Sequence, residues 1–450
     1  MPPPGIRLVL FAAGVVIYSL VWFGLLNAMP MVSDAADYLL EAREMAQRFP
    51  VLLPQMPFYS PPGTAMMIAS LCGLVGVSQW SARLLTVVVS ALTVVVIRAL
   101  AQSLTTDRRT IDLTSLLALL YPPAVLMSGQ SYSQTYAQFW LVLLALALLR
   151  GWLARRLSVF VAAGLVYGFG CLTRPSMLSL WPVFAAGLIF AIWRGWTAAA
   201  GWDARTLLRA SAAFVAAFIV VVAPVAYANH LRGAQFTIST NNERNFFLGN
   251  NRYTPDYKTS HLAQRPLESL EPGVQAYLKG IYEAPNARQV MMQEAVDYIR
   301  ANPGTTAWRT LNRLRSFWGF DYLLSRSIST FYSLQGFSSL LLFAFEGGGY
   351  VLVMLALIVG LFHGWEFLAS RAGFLIALVL GYQLPYAFAF AGGTYHFPVM
   401  GLILPFAAAG LRFLASPGSL QRISPWVWVC MVLFGLLQIE YAYHLVKLAS

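Results

Sequence analysis

Apolar runs close to the length of a bilayer crossing recur along this chain, and a bilayer admits only segments that satisfy their own backbone hydrogen bonds. The first extends from Leu8 to about Ala28 and the second over about 82–102. Others follow at about 111–128, 134–150, 157–172, 176–193, 209–228, 347–363, 372–391, 397–414 and 425–443. A hydrophobic fraction of 58 % with a mean hydropathy of +0.63 excludes an ordinary soluble domain. The expected fold class is an all-α polytopic membrane protein of about eleven transmembrane helices, with an amphipathic first extracytoplasmic loop and one larger, mainly helical extracytoplasmic segment. No strand-rich region, internal repeat or low-complexity tract is visible.

The formal net charge of +12 raises the question of a polyanionic partner. The cations answer it by their placement. Arg7, then Arg98, Arg108 and Arg109, then Arg150, Arg155 and Arg156, then Arg194, Arg205 and Arg209, then Arg371, Arg412 and Arg422 mark alternate ends of the spans. That is the positive-inside pattern, so no nucleic acid is expected and the N-terminus is expected in the cytoplasm. The first run exceeds a signal-peptide h-region of about 7–15 residues and reads as a retained span. With an odd count of spans the C-terminus falls outside.

By this topology the stretch from Ser33 to Gly63 lies outside the cytoplasm. It gathers Asp34, Asp37, Glu41 and Glu44 in a chain that is only 11 % charged. On a helix, Asp34, Asp37, Tyr38, Glu41, Glu44 and Arg48 share one face, with Ala35, Leu39, Ala42, Ala46 and Phe49 along the other. Such a helix suits a membrane surface, its acids turned to water or substrate. The plain alternative makes Ser33 or Asp34 an N-cap and Asp37 a favourable first-turn charge. Pro50, Pro54, Pro57, Pro61 and Pro62 break the chain beyond it, and residues 62–76 read as a half-inserted or interfacial helix.

Further on, the polar turn Ser128–Ser133 joins two spans on the outside. Thr173–Arg174–Pro175 joins two short spans, which sets Arg174 below the outer surface, either as a snorkelling anchor or as an anion site for a lipid phosphate. Three parts are expected: an N-terminal transmembrane module over 1–229 with an outer loop at 29–81, an extracytoplasmic helical segment over 230–330, and C-terminal transmembrane helices over 331–450. Within the middle part, QVMMQEAVDYIRANP has helical apolar spacing, and AWRTLNRLRSFWGF reads as a basic amphipathic helix at the membrane surface. Cys72, Cys171 and Cys430 sit in apolar runs, the five histidines are scattered, and no spacing suggests a metal site. Chemistry is therefore left to carboxylates, arginines and aromatics on the outer face.

Five elements then fall in a familiar order. They are Asp34–Tyr38; Pro61–Pro62–Gly63 followed by Gly76–Val77–Ser78 through Ala82–Arg83–Leu84; Leu172–Thr173–Arg174–Pro175; Asn229, Gly233, Ser239–Thr240–Asn241 and Asn245–Phe246 to Gly249–Asn250; and Tyr395–His396–Phe397–Pro398. This series resembles the GT-C membrane glycosyltransferases, in their family 39, protein-mannosyltransferase and aminoarabinose-transferase-like branch. The resemblance implies transfer of one sugar from a polyprenyl-phosphate carrier to a lipid, glycan or protein acceptor at the outer face of a bacterial inner membrane. Inversion is implied, with no nucleotide sugar and no obligatory metal or other cofactor. It makes Asp34 the general base, Asp37 the next candidate and Arg174 the phosphate ligand, with Tyr38, Tyr59, Arg244, Tyr395 and His396 as further substrate contacts. The chain departs from the pattern at Ala35, Ser60, Ser133–Gln134 and Thr394. Two other classes compete. An O-antigen ligase or polymerase would rely on arginines and a histidine in its large outer loop, and a lipid or solute transporter would show repeat symmetry and midplane charges.

Overall fold

The computed structural model describes residues 5–48, 58–195 and 201–447. Met1–Pro4, Phe49 and the prolines at 50, 54 and 57 lie outside the described residues. Everything regular among those described is helical. The first half comprises α1 (Gly5–Val21, continued by a π turn over Trp22–Leu26), α2 (Asp34–Ala46), α3 (Gly63–Cys72), α4 (Gln79–Leu104), α5 (Arg108–Leu120), α6 (Pro122–Met127), α7 (Ser133–Ala154), α8 (Leu157–Thr173), α9 (Leu180–Trp193, after a 3-10 turn at Pro175–Ser179) and α10 (Ala204–Leu231). Five shorter helices follow: α11 (Asn242–Gly249), α12 (Pro272–Tyr282), α13 (Ala287–Ala301), α14 (Pro303–Phe317) and α15 (Leu323–Phe331). The chain closes with α16 (Gly336–Phe343), α17 (Gly349–His363), α18 (Gly373–Phe388), α19 (Phe397–Leu414) and α20 (Pro425–Lys447).

Nine helical stretches among the described residues are long and apolar enough to cross a membrane. The chain is thus a multi-pass membrane protein. The other two expected spans are shorter. The segment expected over 111–128 is interrupted at Tyr121, because Pro122 offers no N–H and forces the residue before it out of the helical region, to ψ 111°. The segment at 157–172 is the 17-residue α8, lodged between α7 and α10. Conversely, the span expected at 347–363 begins earlier, since α16, a π turn at Ala344–Gly348 and α17 run on as one stretch from Gly336.

The core centres on α19, buried along nearly its whole length and wrapped by α5, α7 and α17. One end of the bundle gathers arginines. Arg98 pairs with Asp112 at 2.8 Å, Arg412 with Asp107 at 3.5 Å, and Arg7 donates to Gln102 at 3.2 Å. The opposite end carries α2, α3, the turn at 128–133, the turn at Arg174 and the residues after α10. That first turn is not the solvated connection its composition suggests. Ser128, Gln130, Ser131, Tyr132 and Ser133 are all buried, and Ser131 joins Thr86 and Tyr136 in one hydroxyl cluster.

Residues beyond α10 build a second small core from Phe247, Leu248, Leu278, Ile281, Met291 and Ala295. Next, α14 corrects the sequence reading of a basic face on the membrane surface. Its arginines point inward, with Arg309 3 % and Arg313 1 % exposed, while Trp308 and Leu311 face out. Helix ends explain the inversion, because their last carbonyls lack intrahelical partners. Arg313 donates to Gly249 O at 2.7 Å, Asn250 Oδ1 at 2.9 Å, Ala387 O at 3.3 Å and Phe388 O at 3.2 Å. It therefore ties the end of α11 to the end of α18. Arg309 does similar work on Asn251 O at 3.0 Å and pairs with Asp256 at 2.8 Å.

The junction leaves no room for a side chain at Gly249, where a Cβ would lie 1.9 Å from Ala389 O. Gly249→Ala is expected to destabilise the protein by at least about 2 kcal/mol through this overpacking. The check is the melting temperature in detergent, which should fall well below that of a control such as Gly273→Ala, where the added Cβ meets nothing within 4 Å.

Candidate active site

The helix α2 opens in an unusual way. Ser33 holds φ 53° with ψ −140°, a conformation that costs a residue with a side chain about 1–3 kcal/mol. Although Ser33 occupies the capping position, its hydroxyl makes no cap bond and instead donates to Asp34 Oδ1 at 3.3 Å. Asp34 is the first helical residue, and its carboxylate does not cap a backbone N–H. The capping explanation of this acid is therefore not what the structure shows. Ala35, Tyr38, Leu39, Ala42 and Met45 are buried, whereas Asp34, Asp37 and Glu44 are exposed. Tyr38 thus departs from the acidic face expected for it and turns into the bundle.

There its hydroxyl shares a hydrogen bond with Ser133 at the start of α7, and burial, reinforced by Asp34, pushes the phenol well above its usual range. The charge of Arg174 acts on the same phenol. Arg174 follows α8 and precedes Pro175, so its backbone is extended at φ −150°, ψ 106° and the side chain leaves the helix axis. Its Nε donates to the Tyr386 hydroxyl at 2.9 Å and its Nη1 to Ser133 Oγ at 3.0 Å. The guanidinium carbon lies 5.3 Å from the centre of the Tyr395 ring and 5.9 Å from that of Tyr386, and the two rings stack at 5.1 Å. Tyr386 is fixed in turn by Ser176 at 3.1 Å and Tyr382 at 3.3 Å. Among the described residues no carboxylate comes within ion-pair distance of Arg174. The field of Asp34 reaches Tyr38, Tyr132 and Tyr395, which places that acid at the same mouth.

Two docking contacts assemble this mouth from distant segments. A Cβ on Gly63 would sit 2.6 Å from Thr173 N, so the Pro61–Pro62–Gly63 step lies backbone against backbone on the residue before Arg174. Asn229, at the end of α10, accepts from Phe58 N at 2.8 Å and donates to Thr237 O at 2.7 Å. Thr240 N completes the seam by donating to Phe58 O at 2.9 Å.

Apart from Asp37, which stays exposed on α2, the residues singled out from the sequence divide into three groups. Asp34, Tyr38, Arg174 and Tyr395 come together. Tyr59 and Arg244 form a neighbouring patch with Tyr282, whose ring lies 5.5 Å from the Arg244 guanidinium. His396 turns the other way. Fully buried, it bonds Phe317 O at 2.7 Å through Nδ1 and Asp321 Oδ2 at 3.1 Å through Nε2, and its ring stacks on Tyr350 at 4.4 Å. Sequence reasoning passed over Ser133 as a donor-site residue and missed Tyr386, whose only sign was a pair of tyrosines four residues apart in an apolar span. It also missed that Arg83 holds the first span's end, donating to Leu26 O at 2.9 Å and to Met29 O. Among the described residues no group of three or more His, Cys, Asp or Glu could hold a metal ion.

The acids on α2 influence one another. Burial, aided by Asp34, holds the Asp37 carboxyl above its usual range. Burial, then Asp37 and Glu44, pushes Glu41 up to about 7, and its Oε2 has no hydrogen-bond partner. A carboxyl whose pKa rises on folding is bound to its proton in the folded state over a range where the unfolded chain has lost it. Stability is then highest at low pH and falls as pH rises from the unfolded value, about 4.5, through about 7. Glu41→Gln should therefore raise the melting temperature at pH 8, leave it nearly unchanged at pH 4.5, and flatten the profile between, measured in detergent across that range.

Comparison with known proteins adds four findings. Residues 59–227 match the family described as dolichyl-phosphate-mannose-protein mannosyltransferase. Over 187 residues the chain is 35 % identical to the undecaprenyl phosphate-alpha-4-amino-4-deoxy-L-arabinose arabinosyl transferase of Pseudomonas aeruginosa, covering 40 % of this chain and 32 % of that protein. The archaeal oligosaccharyltransferase AglB from Archaeoglobus fulgidus, solved with an inhibitory peptide and a dolichol-phosphate, superposes with a TM-score of 0.51 at 14 % identity, covering 98 % of this chain and 55 % of that one. ArnT from Cupriavidus metallidurans bound to undecaprenyl phosphate gives a TM-score of 0.42 at 16 % identity, covering 91 % and 77 %. The chain spans about a third of the curated relative and about half of AglB, and it shares the fold of the latter.

Proposed function

We propose that this protein is a GT-C membrane glycosyltransferase that moves a single sugar, with inversion, from a polyprenyl-phosphate carrier to an acceptor on the extracytoplasmic side. The observation that carries the reading is the convergence of Asp34 and Tyr38 from α2, Arg174 from the end of α8 and Tyr395 from the turn before α19, three separate parts of the chain, at a guanidinium with no carboxylate partner among the described residues. Such a cation, framed by hydroxyls and ring faces at a membrane boundary, suits the phosphate of a lipid carrier, whose charge grows as the glycosidic bond breaks. Asp34, exposed at the start of α2, is the general base that takes the proton of the acceptor hydroxyl. Asp34 is among the charges that act on Tyr38, Tyr132 and Tyr395, and Asp37 is not; this favours Asp34 over Asp37.

Tyr38, Ser133 and Tyr386 orient the guanidinium, and Tyr59 with Arg244 offers an edge for the acceptor. In this reading His396 positions the Tyr395 turn and does not touch substrate. The arginine-rich end faces the cytoplasm of a bacterial inner membrane, and the mouth faces outward. The part over 230–330 covers the mouth, between the transmembrane parts 1–229 and 331–450. The dolichyl-phosphate-mannose and undecaprenyl phosphate-aminoarabinose named for the relatives support a lipid-linked donor.

The test is sugar transfer in membrane vesicles from a labelled polyprenyl-phosphate sugar pool, at matched expression. Asp34→Asn should lower kcat by about 10²–10⁴. Arg174→Ala should lower it by about 10²–10³, and Asp37→Asn should stay within a few-fold of wild type. Wild-type turnover by Asp34→Asn would move the base to Asp37. A wild-type protein that transfers no sugar from any polyprenyl-phosphate donor would overturn the reading.

A further inference from the structure

On the other side of α18 from Arg174, a groove of about 500 Å³ lies between α14, α18 and α20. Leu380, Leu384, Phe434 and Leu437 give it apolar walls that face the bilayer. Two of its lining groups do not fit an apolar groove. Gln383, only 7 % exposed, has no side-chain hydrogen-bond partner among the described residues. Arg315 pairs with Glu440 and donates to Tyr257 O at 3.0 Å, yet its Nε is buried without a partner. The contrast with Gln438 in the same groove is informative. That amide is satisfied on both sides, accepting from Phe320 N at 2.9 Å and donating to Trp318 O at 3.0 Å.

The Gln383 amide opens onto the groove instead of being enclosed by protein, and an unpartnered amide costs about 1–3 kcal/mol where no water reaches it. Gln383 therefore calls for a ligand that brings hydrogen-bonding oxygen into an apolar slot. Its depth narrows the choice. It lies five residues before the end of α18 at Phe388, about 7–8 Å along the axis. That is where the hydrocarbon core gives way to the interfacial region, with the basic Arg315 at the rim.

We propose that this groove binds one acyl chain of an ester- or amide-linked phospholipid, its carbonyl oxygen accepting from Gln383 Nε2 and its phosphodiester lying toward Arg315. A prenyl chain does not meet the demand. Its hydrocarbon offers no acceptor along its length, and its phosphate oxygens sit at the very end. The site is distinct from the mouth at Arg174 and stands whether or not the transferase reading holds. Its occupant braces α18, whose other face presents Tyr382 and Tyr386 to Arg174.

The probe is a diacyl phosphatidylethanolamine with a diazirine near its acyl carbonyl, supplied to the full chain in phosphatidylethanolamine nanodiscs. Cross-links should map to 380–387 and 434–438, and native mass spectrometry should find one phospholipid retained after detergent exchange. Gln383→Leu, which keeps the groove apolar, should reduce retention about fivefold, the worth of one neutral hydrogen bond, at a melting temperature no lower than that of wild type. An ether-linked analogue without the carbonyl should bind wild type as weakly as the ester lipid binds Gln383→Leu. Leu380→Trp should abolish labelling by filling the slot. Equal retention of ester and ether lipids would overturn the proposal. So would labelling spread evenly over all lipid-facing helices, or displacement by undecaprenyl phosphate at equal concentration.

Discussion

A guanidinium cannot shed its charge, so one sunk at the mouth of a helix bundle must be ringed by acceptors or left open to an anion. Arg174 meets both conditions. Pro175 extends the backbone at the residue before it and so takes the side chain off the α8 axis. Ser133 and Tyr386 supply two acceptor oxygens at 3.0 and 2.9 Å, and the rings of Tyr386 and Tyr395 cover its faces. None of these partners is a carboxylate. The positive charge is held in geometry without being cancelled, and this asymmetry defines what the mouth can bind.

Much of this was legible in the residues. The apolar periodicity, the alternation of arginines and the order of the short motifs led to a multi-pass helical protein with its polar groups at one end. The structure then brings residues of all five motifs into one place, in part through Gly63 on Thr173 and the Asn229 seam to Phe58. What stayed hidden was which way polar side chains face. In a soluble protein a polar turn goes to water. At a membrane boundary it serves equally well as filling between helix ends, as Ser128–Ser133 does here. The arginines of α14 misled for the same reason: their spacing fits a surface helix, but unpaired carbonyls at the ends of α11 and α18 supply a better environment than lipid phosphates. Tyr386 was invisible because a tyrosine in an apolar span ordinarily reads as packing or as an interfacial anchor.

Adjacent residues in the Gly392–His396 turn show how the outer layer and the mouth are joined. Tyr395 faces Arg174, while His396 faces the other way and binds Phe317 O, the end of α14, and Asp321. The helix that clamps α11 to α18 through Arg313 therefore also fixes the backbone that carries Tyr395. A shift of α14 would move the end of α18 and the Tyr395 turn together, and those two elements supply both aromatic faces of the Arg174 cage. The segment between α10 and α15 thus bears on the geometry at Arg174. It sets the spacing of the rings that hold the cation, so the geometry of the Arg174 cage depends on residues that never approach it.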